Sequence, residues 1–182
     1  MIRLFVALEI PDEIKNKIFT VLQEIPEYSS GYRWEPKDKI HLTLKFIGDV
    51  REELLDDIIS EIEFVKDYSA FNCTISKFGF FFRDNNPVIL WCNFETDDKI
   101  NSLVTDLNAR LNKFGIDEDM RKFKGHLTLL RIKKSVSNNF IKSFKEFKFE
   151  PIRFDCNTIT LIQSFLKPSG SEYKVLKIYE LK

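Results

Sequence analysis

Histidine is scarce in this chain of 182 residues, which contains only two histidines, three cysteines, six glycines and six prolines. Cys73, Cys92 and Cys156 are scattered, with no Cys-x-x-Cys pair and no zinc spacing, so we expect buried free thiols in a reducing compartment. Two histidines without clustered acidic or thiol partners predict no metal site. The chain also lacks a phosphate-cradling glycine loop, which argues against nucleotide-driven ligation. We expect no cofactor.

The chain has no net charge, because 28 basic side chains balance 28 acidic ones. A protein that coats nucleic acid would usually be basic, so the balance argues against that class and leaves room for a local basic cleft. No stretch is long enough to span a bilayer. The apolar run from Ile2 to Ile10 is short and interrupted by Arg3 and Glu9, unlike a signal peptide. We expect a cytoplasmic monomer with no membrane partner.

Hydrophobic residues make up 43% of the chain and include 18 phenylalanines, enough for an aromatic-rich core. This length suits one compact domain or two small lobes around a shared cleft. Pro11 favours the start of a first helix, and Asp49, followed by Glu52, predicts a capped second helix. Further helices are predicted at about 97–114 and 138–147. Strands are predicted at 2–9, 39–47, 71–82, 88–94, 124–132, 150–155, 157–166 and 173–181, with turns at 84–87 and 167–170.

Both halves therefore follow one order: strand, helix, histidine-containing strand, helix, further strands. The two histidines are 85 residues apart, and the same offset carries the strand at 3–9 onto 88–94. This duplication is too long for a solenoid repeat. Interleaved strands and helices predict an α+β or α/β sheet protein. No linker interrupts the pattern, so we expect a single domain over 1–182.

Each histidine opens the same tetrapeptide, His41-Leu42-Thr43-Leu44 and His126-Leu127-Thr128-Leu129. Histidine is the side chain that exchanges protons near neutral pH, so two in identical contexts suggest a paired acid and base. For a lone histidine a half-buried core role would be favoured; the duplication argues against it. Strand alternation predicts His and Thr on one face, and on the other face of the first strand the apolar residues Ile40, Leu42, Leu44 and Phe46.

Two His-x-Thr-x motifs resemble those of the 2H phosphoesterase superfamily, and more narrowly the RNA 2′,3′-cyclic phosphodiesterases, historically called 2′-5′ RNA ligases. The resemblance spans nearly the whole chain; its other stretches are 1–8, Trp34, 45–48, 78–80, 87–91, 161–164, Gly170 and Tyr173. One departure is Gly125, where the family often has proline. The resemblance implies an α+β fold of two pseudo-symmetric lobes, each an antiparallel sheet with outer helices. One lobe would contain both termini, and the central cleft would hold one motif from each lobe.

Opening a 2′,3′-cyclic phosphate requires a base for the attacking water, an acid for the departing ribose oxygen and donors for the phosphoryl oxygens. Two histidines can supply the first two without a metal, each typically worth ~10²–10⁴-fold in rate. The hydroxyls of Thr43 and Thr128 can donate to the non-bridging oxygens. The resemblance assigns His126 as base and His41 as acid. The motifs themselves are locally identical and leave that order open.

Two cations near the motifs have two interpretations each. Arg131 fits the family pattern His-x-Thr-x-x-Arg and could clamp the phosphate. Strict alternation places it on the opposite face from His126, so only a bulge or the strand end would turn it inward; otherwise it is a solvated arginine. Lys45 is predicted on the His41 face, where it would supply positive charge, or in solvent at a strand end.

Other candidates form larger groups. Five aromatic residues could stack a nucleobase, although core packing is the better prediction for most: Trp34, Phe46, Phe82, Trp91 and Tyr173. Four lysines bracket the second motif and either guide RNA or form a solvated face: Lys122, Lys124, Lys133 and Lys134.

The favoured interpretation is an enzyme that hydrolyses RNA-terminal 2′,3′-cyclic phosphates to 2′-phosphates without a metal. Its partners would be RNA 3′ ends that carry the cyclic phosphate, or small cyclic nucleotides. The alternatives are a non-catalytic RNA-end-binding module, and a 2H phosphodiesterase that acts on a small cyclic phosphate or a 2′-5′ oligonucleotide. Reverse ligation through a 2′-5′ linkage is a weaker alternative.

Overall fold

The computed structural model describes residues 1–29, 31–168 and 170–182. These residues form nine strands and four α-helices. The strands are β1 (Ile2–Glu9), β2 (His41–Val50), β3 (Phe71–Ile75), β4 (Phe78–Arg83), β5 (Asn86–Asn93), β6 (His126–Arg131), β7 (Ile152–Cys156), β8 (Thr158–Lys167) and β9 (Gly170–Glu180). The helices are α1 (Asp12–Gln23), α2 (Leu55–Ile62), α3 (Lys99–Asn112) and α4 (Asn138–Glu146).

Two antiparallel sheets organise the fold. The first has the order β2-β1-β8-β9 and draws its strands from both ends of the chain, whereas the second, β4-β5-β6, comes from the middle. Each motif strand lies at an edge of its sheet, next to the strand that begins its half. In that pairing Glu9 lies opposite His41 and Asn93 opposite His126. The α+β fold with two pseudo-symmetric antiparallel sheets is therefore confirmed, and β3 and β7 add a small two-stranded sheet.

A β-bulge follows the threonine of the first motif. Thr43 lies opposite Ala7 but Lys45 lies opposite Val6, so Leu44 is the extra residue. A bulge disrupts the alternation of side chains beyond it. Leu44 and Lys45 are consequently both buried, and the next side chain, Phe46, is 61% exposed. The prediction that Phe46 lies on the apolar face was wrong for this reason.

The second motif repeats the bulge at the equivalent position. Thr128 lies opposite Trp91 and Leu130 opposite Leu90, which leaves Leu129 as the extra residue. Leu129 and Leu130 are both buried, and Arg131 is exposed. The burial pattern of β6 thus repeats the first six positions of β2, and Arg131 is the counterpart of Phe46.

The helices bury apolar stripes against the sheets, as their spacing predicts. In α1 the buried apolar residues are Ile14, Ile18 and Leu22, and the acidic Asp12 and Glu13 occupy the first turn, where they complement the helix dipole. The helix α4 begins at the N-cap Ser137, whose hydroxyl accepts a hydrogen bond from the amide of Phe140 at 3.1 Å. Within the described ranges, no helix is long and apolar enough to cross a membrane.

Two predicted features differ in the structure. The strand predicted at 71–82 is two strands in different sheets, because the side-chain oxygen of Asn93 accepts hydrogen bonds from the amides of Ser76 and Lys77 where the chain crosses between them. Asp49 does not cap the second helix. It lies within β2, where Arg3 binds its carboxylate through two nitrogens at 3.1 and 2.8 Å.

The two predicted turns have different outcomes. Asp84 and Asn85 adopt positive φ and connect β4 to β5, as expected for the turn at 84–87. The turn predicted at 167–170 includes Ser169, which lies outside the described residues.

Candidate active site

One small cleft brings the two motifs together. Its lining contains His41 and Thr43 from β2 and His126, Thr128 and Arg131 from β6. Three further residues complete it: Glu35, Lys39 and Tyr173. All five site residues predicted from the sequence therefore line the same cleft, because the edge strands β2 and β6 contact each other across the molecule.

His126 is held by a backbone hydrogen bond. Its Nδ1 lies 2.9 Å from the carbonyl oxygen of Lys124, and a carbonyl only accepts, so Nδ1 carries the proton and Nε2 is left as an acceptor. Phe81 packs edge-on against the imidazole, with ring centroids 4.7 Å apart. Burial lowers the pKa of His126, the bond with Lys124 raises it, and the positive charge of Arg131 lowers it. The net direction is down.

His41 lies in a more apolar environment. Its ring stacks on Phe5 with centroids 5.0 Å apart, and Tyr173 approaches edge-on at 5.6 Å. The pKa of His41 is lowered to about 4, and burial is the main cause. A hydrogen bond with the Lys39 backbone raises the pKa, whereas the positive charges of Lys15 and Arg131 lower it further. Both histidines thus bond to the backbone two residues earlier, and the unliganded site favours neutral imidazoles.

The strand β6 begins at His126 because of a close backbone approach just before it. A Cβ added at Gly125 would lie 2.5 Å from the carbonyl oxygen of Phe94, whose amide in turn donates to the Gly125 carbonyl. The absence of a side chain at Gly125 therefore allows two backbone segments to lie close together.

The two motif threonines are half-buried beside the histidines. Among the described residues, neither hydroxyl makes a hydrogen bond with protein. A hydroxyl has one donor and can turn it toward a ligand. Thr43 and Thr128 are therefore free to donate to a group bound in the cleft.

The bulge turns the Arg131 side chain toward the cleft, on the same side of β6 as His126. Its Nε donates to Oε1 of Glu35 at 3.0 Å. Glu35 is itself placed by β6, because its amide donates to the carbonyl of Leu129 at 2.8 Å and Trp34 forms a bridge with Leu130. This pairing holds one side of the guanidinium and leaves its other N–H groups for an anion.

Lys45 points away from the cleft, so both predictions for it were wrong. It is only 4% exposed, and its Nζ donates to the side-chain oxygen of Asn108 at 2.6 Å and to the carbonyl of Asp117 at 2.5 Å. Burial lowers its pKa, while the carboxylates of Asp119, Glu118 and Asp117 raise it. The bulge after Thr43 turns Lys45 toward α3, where it is a structural cation.

The aromatic candidates divide into core and surface. Trp34 packs on Tyr28 and its indole nitrogen donates to the carbonyl of Ser29 at 2.8 Å, so it has a structural role. Trp91 lies over Gly79, where an added Cβ would meet the indole ring at 2.3 Å. Phe46 and Phe82 are the exposed ones, at 61% and 45%.

No group of three or more histidine, cysteine or acidic side chains could hold a metal in the part of the chain that the structure describes. The three cysteines are free and buried, as expected. Burial raises the pKa of the Cys92 thiol, which keeps it protonated.

Sequence patterns missed several residues of the site. Glu35 and Lys39 precede the first motif in an irregular segment, and nothing in their spacing relates them to the second motif. Phe5 lies in a strand with a continuous apolar run, and Phe81 is one of four phenylalanines in β4, so neither pattern marks a side chain that contacts a histidine. The register of β1 against β2, together with the bulge, is the signal that would have found Phe5, and only the structure provides it.

Comparison with known proteins agrees with this arrangement. A family model described as LigT like Phosphoesterase matches the chain twice, over residues 8–91 and 90–173. A protein of Archaeoglobus fulgidus named RNA 2′,3′-cyclic phosphodiesterase is 30% identical over 98% of this chain and 99% of its own length. A Thermotoga maritima protein of the same name is 28% identical over 96% and 92%.

Solved structures share the fold. The Thermus thermophilus protein TT0787 superposes with a TM-score of 0.80 at 24% identity, and covers 98% of this chain and 97% of its own. Escherichia coli LigT complexed with 3′-AMP gives 0.77 at 22% identity over 100% and 98%. Two matches to one family model, each containing one histidine motif, account for the internal duplication, and the chain belongs to the LigT-like phosphoesterases of the 2H superfamily.

Proposed function

We propose that this protein hydrolyses the 2′,3′-cyclic phosphate at the 3′ end of RNA and leaves a 2′-phosphate, without a metal ion. The observation that carries the proposal is the convergence of His41, Thr43, His126, Thr128 and Arg131 on one cleft. The proposal also draws on the relatives from Archaeoglobus and Thermotoga, which are named RNA 2′,3′-cyclic phosphodiesterases.

In the proposed reaction, Nε2 of His126 takes a proton from water as the water oxygen attacks phosphorus. The bond between phosphorus and the ribose 3′ oxygen breaks, and His41 gives its proton to that oxygen. The phosphate stays on the 2′ oxygen. The Nδ1–H bond from His126 to Lys124 leaves Nε2 unprotonated and fixes the ring, as a base requires. His41 has an equivalent bond to the Lys39 backbone, so the choice of His126 as base follows the family resemblance.

The charged phosphoryl oxygens would be bound by Thr43, Thr128 and Arg131. The threonine hydroxyls have no other partner among the described residues, and the guanidinium is oriented by Glu35. Donors that are already oriented stabilise developing charge without reorganisation. Burial is the main cause that lowers the pKa of His41 in the free protein, and the positive charges of Lys15 and Arg131 add to it. A bound anion offsets those charges and so favours the protonated acid.

The test is incubation with an oligonucleotide that ends in a 2′,3′-cyclic phosphate, followed by identification of the oxygen that keeps the phosphate. We expect a 2′-phosphate and full activity after extensive treatment with EDTA. His41→Ala and His126→Ala should each lower turnover by at least ~10²-fold. The double variant should lose far less than the product of the two.

A 3′-phosphate product, or near-normal turnover in either single variant, would contradict the proposed mechanism. Tight binding of the RNA end without turnover would identify a binding module instead. Loss of activity in EDTA with recovery on adding one divalent ion would show that a metal takes part.

A further inference from the structure

Charge is distributed unevenly along this neutral chain. Residues 121–148 contain nine lysines and arginines against one acidic residue, Glu146, and include β6 and α4. Residues 49–67 contain eight acidic residues against two basic ones, and include the end of β2 and α2. A polyanion that leaves the cleft is therefore attracted along the β6 side and repelled along the β2 side.

Two exposed lysines, Lys133 and Lys134, follow Arg131 directly after the end of β6. Lys133 and Lys134 are both on the surface, and within the described ranges neither is engaged by an acidic side chain. By contrast, several surface lysines elsewhere have a carboxylate partner, as Lys17 has Glu13 and Lys66 has Glu63. Lys134 is three residues from Arg131, so its Cα lies within roughly 11 Å of the Arg131 Cα.

An exposed aromatic ring lies at the end of the neighbouring β4–β5 hairpin. Phe82, at 45% exposure, is opposite Pro87 in the β4–β5 pair, and the amide of Ile132 donates to the neighbouring Val88 carbonyl at 2.9 Å. This bond brings the chain that continues to Lys133 beside the end of the hairpin. From α4, Nζ of Lys145 lies 5.1 Å from the centre of the Phe82 ring.

These residues form one surface, here called the basic patch: Phe82, Arg83, Lys133, Lys134 and Lys145. Two acidic side chains adjoin it, Asp84 in the hairpin turn and Glu146 next to Lys145, so the cations remain in excess. An exposed ring accompanied by cations on neighbouring segments is the combination with which proteins hold single-stranded nucleic acid: the ring stacks a base and the cations contact phosphates.

We propose that the RNA strand 5′ to the cyclic phosphate leaves the cleft past Arg131 and binds the basic patch. One base stacks on Phe82, and Lys133 and Lys134 contact phosphates. This inference rests on the proposed function and extends it: the preferred substrate is an RNA chain end rather than a free cyclic nucleotide.

The experiment compares kcat/KM for a decanucleotide ending in adenosine 2′,3′-cyclic phosphate with kcat/KM for free 2′,3′-cyclic AMP, at several salt concentrations. The ratio of the two should be well above 1 at low salt and fall as salt rises, because phosphate contacts release counterions. Lys133→Gln with Lys134→Gln should lower the ratio on the order of 10-fold. It should also flatten the plot of log kcat/KM against log salt by roughly 0.7 per lysine.

A matched control removes two other exposed cations, Arg153 in β7 and Lys174 in β9, by the same change to glutamine; neither has an acidic partner among the described residues. The control variant should keep both the ratio and the salt dependence of the wild type. For the stacking position, Phe82→Ser should lower the ratio on the order of 10-fold. Ile178→Ser, at an exposed apolar position of β9, should not change it.

A wild-type ratio near 1, or a ratio that the double change at Lys133 and Lys134 leaves unchanged, would overturn the proposal. An equal fall in both rates in that double variant would place these residues in the chemistry of the cleft and also overturn it. Absence of turnover with either substrate would be a different result, because it would refute the proposed function itself.

Discussion

The pKa of His41 should lie far below that of an ordinary histidine, and the chain is well suited to measuring this pKa. Only two imidazoles contribute to its NMR spectrum, so a single His126→Asn variant assigns both signals. The expected pKa of His41 in the free protein is about 4, because the ring is buried against Phe5 and faces the charges of Lys15 and Arg131. A shift of that size from 6.5 corresponds to roughly 3 kcal/mol in favour of the neutral ring.

This shift predicts how stability depends on pH. The folded pKa lies below the unfolded value, so protons bind the unfolded chain first as the pH falls from 6.5 toward 4. His41 therefore contributes nothing above pH 6.5 and destabilises the fold increasingly below it, by up to about 3 kcal/mol. Urea denaturation at pH 7 and pH 4 should show a smaller loss of stability in His41→Gln than in the wild type.

A bound anion should reverse part of the shift. Saturation with 2′-AMP, the expected product class, should raise the pKa of His41, because the phosphate opposes the two cations. The pKa of His126 is also lowered in the free protein, so kcat/KM should peak on the acidic side of ~6.5. A His41 resonance that titrates at 6.5 or above without ligand, or does not respond to 2′-AMP, would refute this account of the site.

Three further outcomes concern single side chains. Thr43→Val and Thr128→Val should each lower kcat/KM, and the loss of transition-state stabilisation should be at most ~2.7–4 kcal/mol. Stability in urea should change little, since neither hydroxyl makes a hydrogen bond with a described protein atom. Wild-type kinetics in both variants would show that these threonines only favour the strand. Arg131→Gln should lower kcat/KM by roughly 10²-fold and raise the pKa of both histidines by NMR, and unchanged pKa values would show that its charge does not reach them. Gly79→Ala should cost about 1–3 kcal/mol in urea unfolding, because its Cβ would meet Trp91 at 2.3 Å; unchanged stability would mean that the indole moves freely.

Much of the architecture could be predicted from periodicity alone. Alternating and helical spacing located the strands and helices to within a few residues, since burial of one face repeats every 2 or 3.6 positions. The break at Ser76 and Lys77 could not be predicted, because it depends on the side chain of Asn93, 16 residues further along the chain from Lys77. Asp49 was misassigned for a similar reason: its partner, Arg3, is 46 residues away.

The sequence by itself determined the chemistry that this protein carries: two histidines, each with a threonine two residues later on the same strand face. Tertiary structure decided which neighbours join them. Strict alternation counts residues and cannot detect a bulge, so it placed Lys45 toward the cleft, Phe46 toward the core and Arg131 away from the cleft. The extra residue that follows each motif threonine, Leu44 in β2 and Leu129 in β6, reverses all three positions, and these bulges exist only in the pairing with β1 and β5.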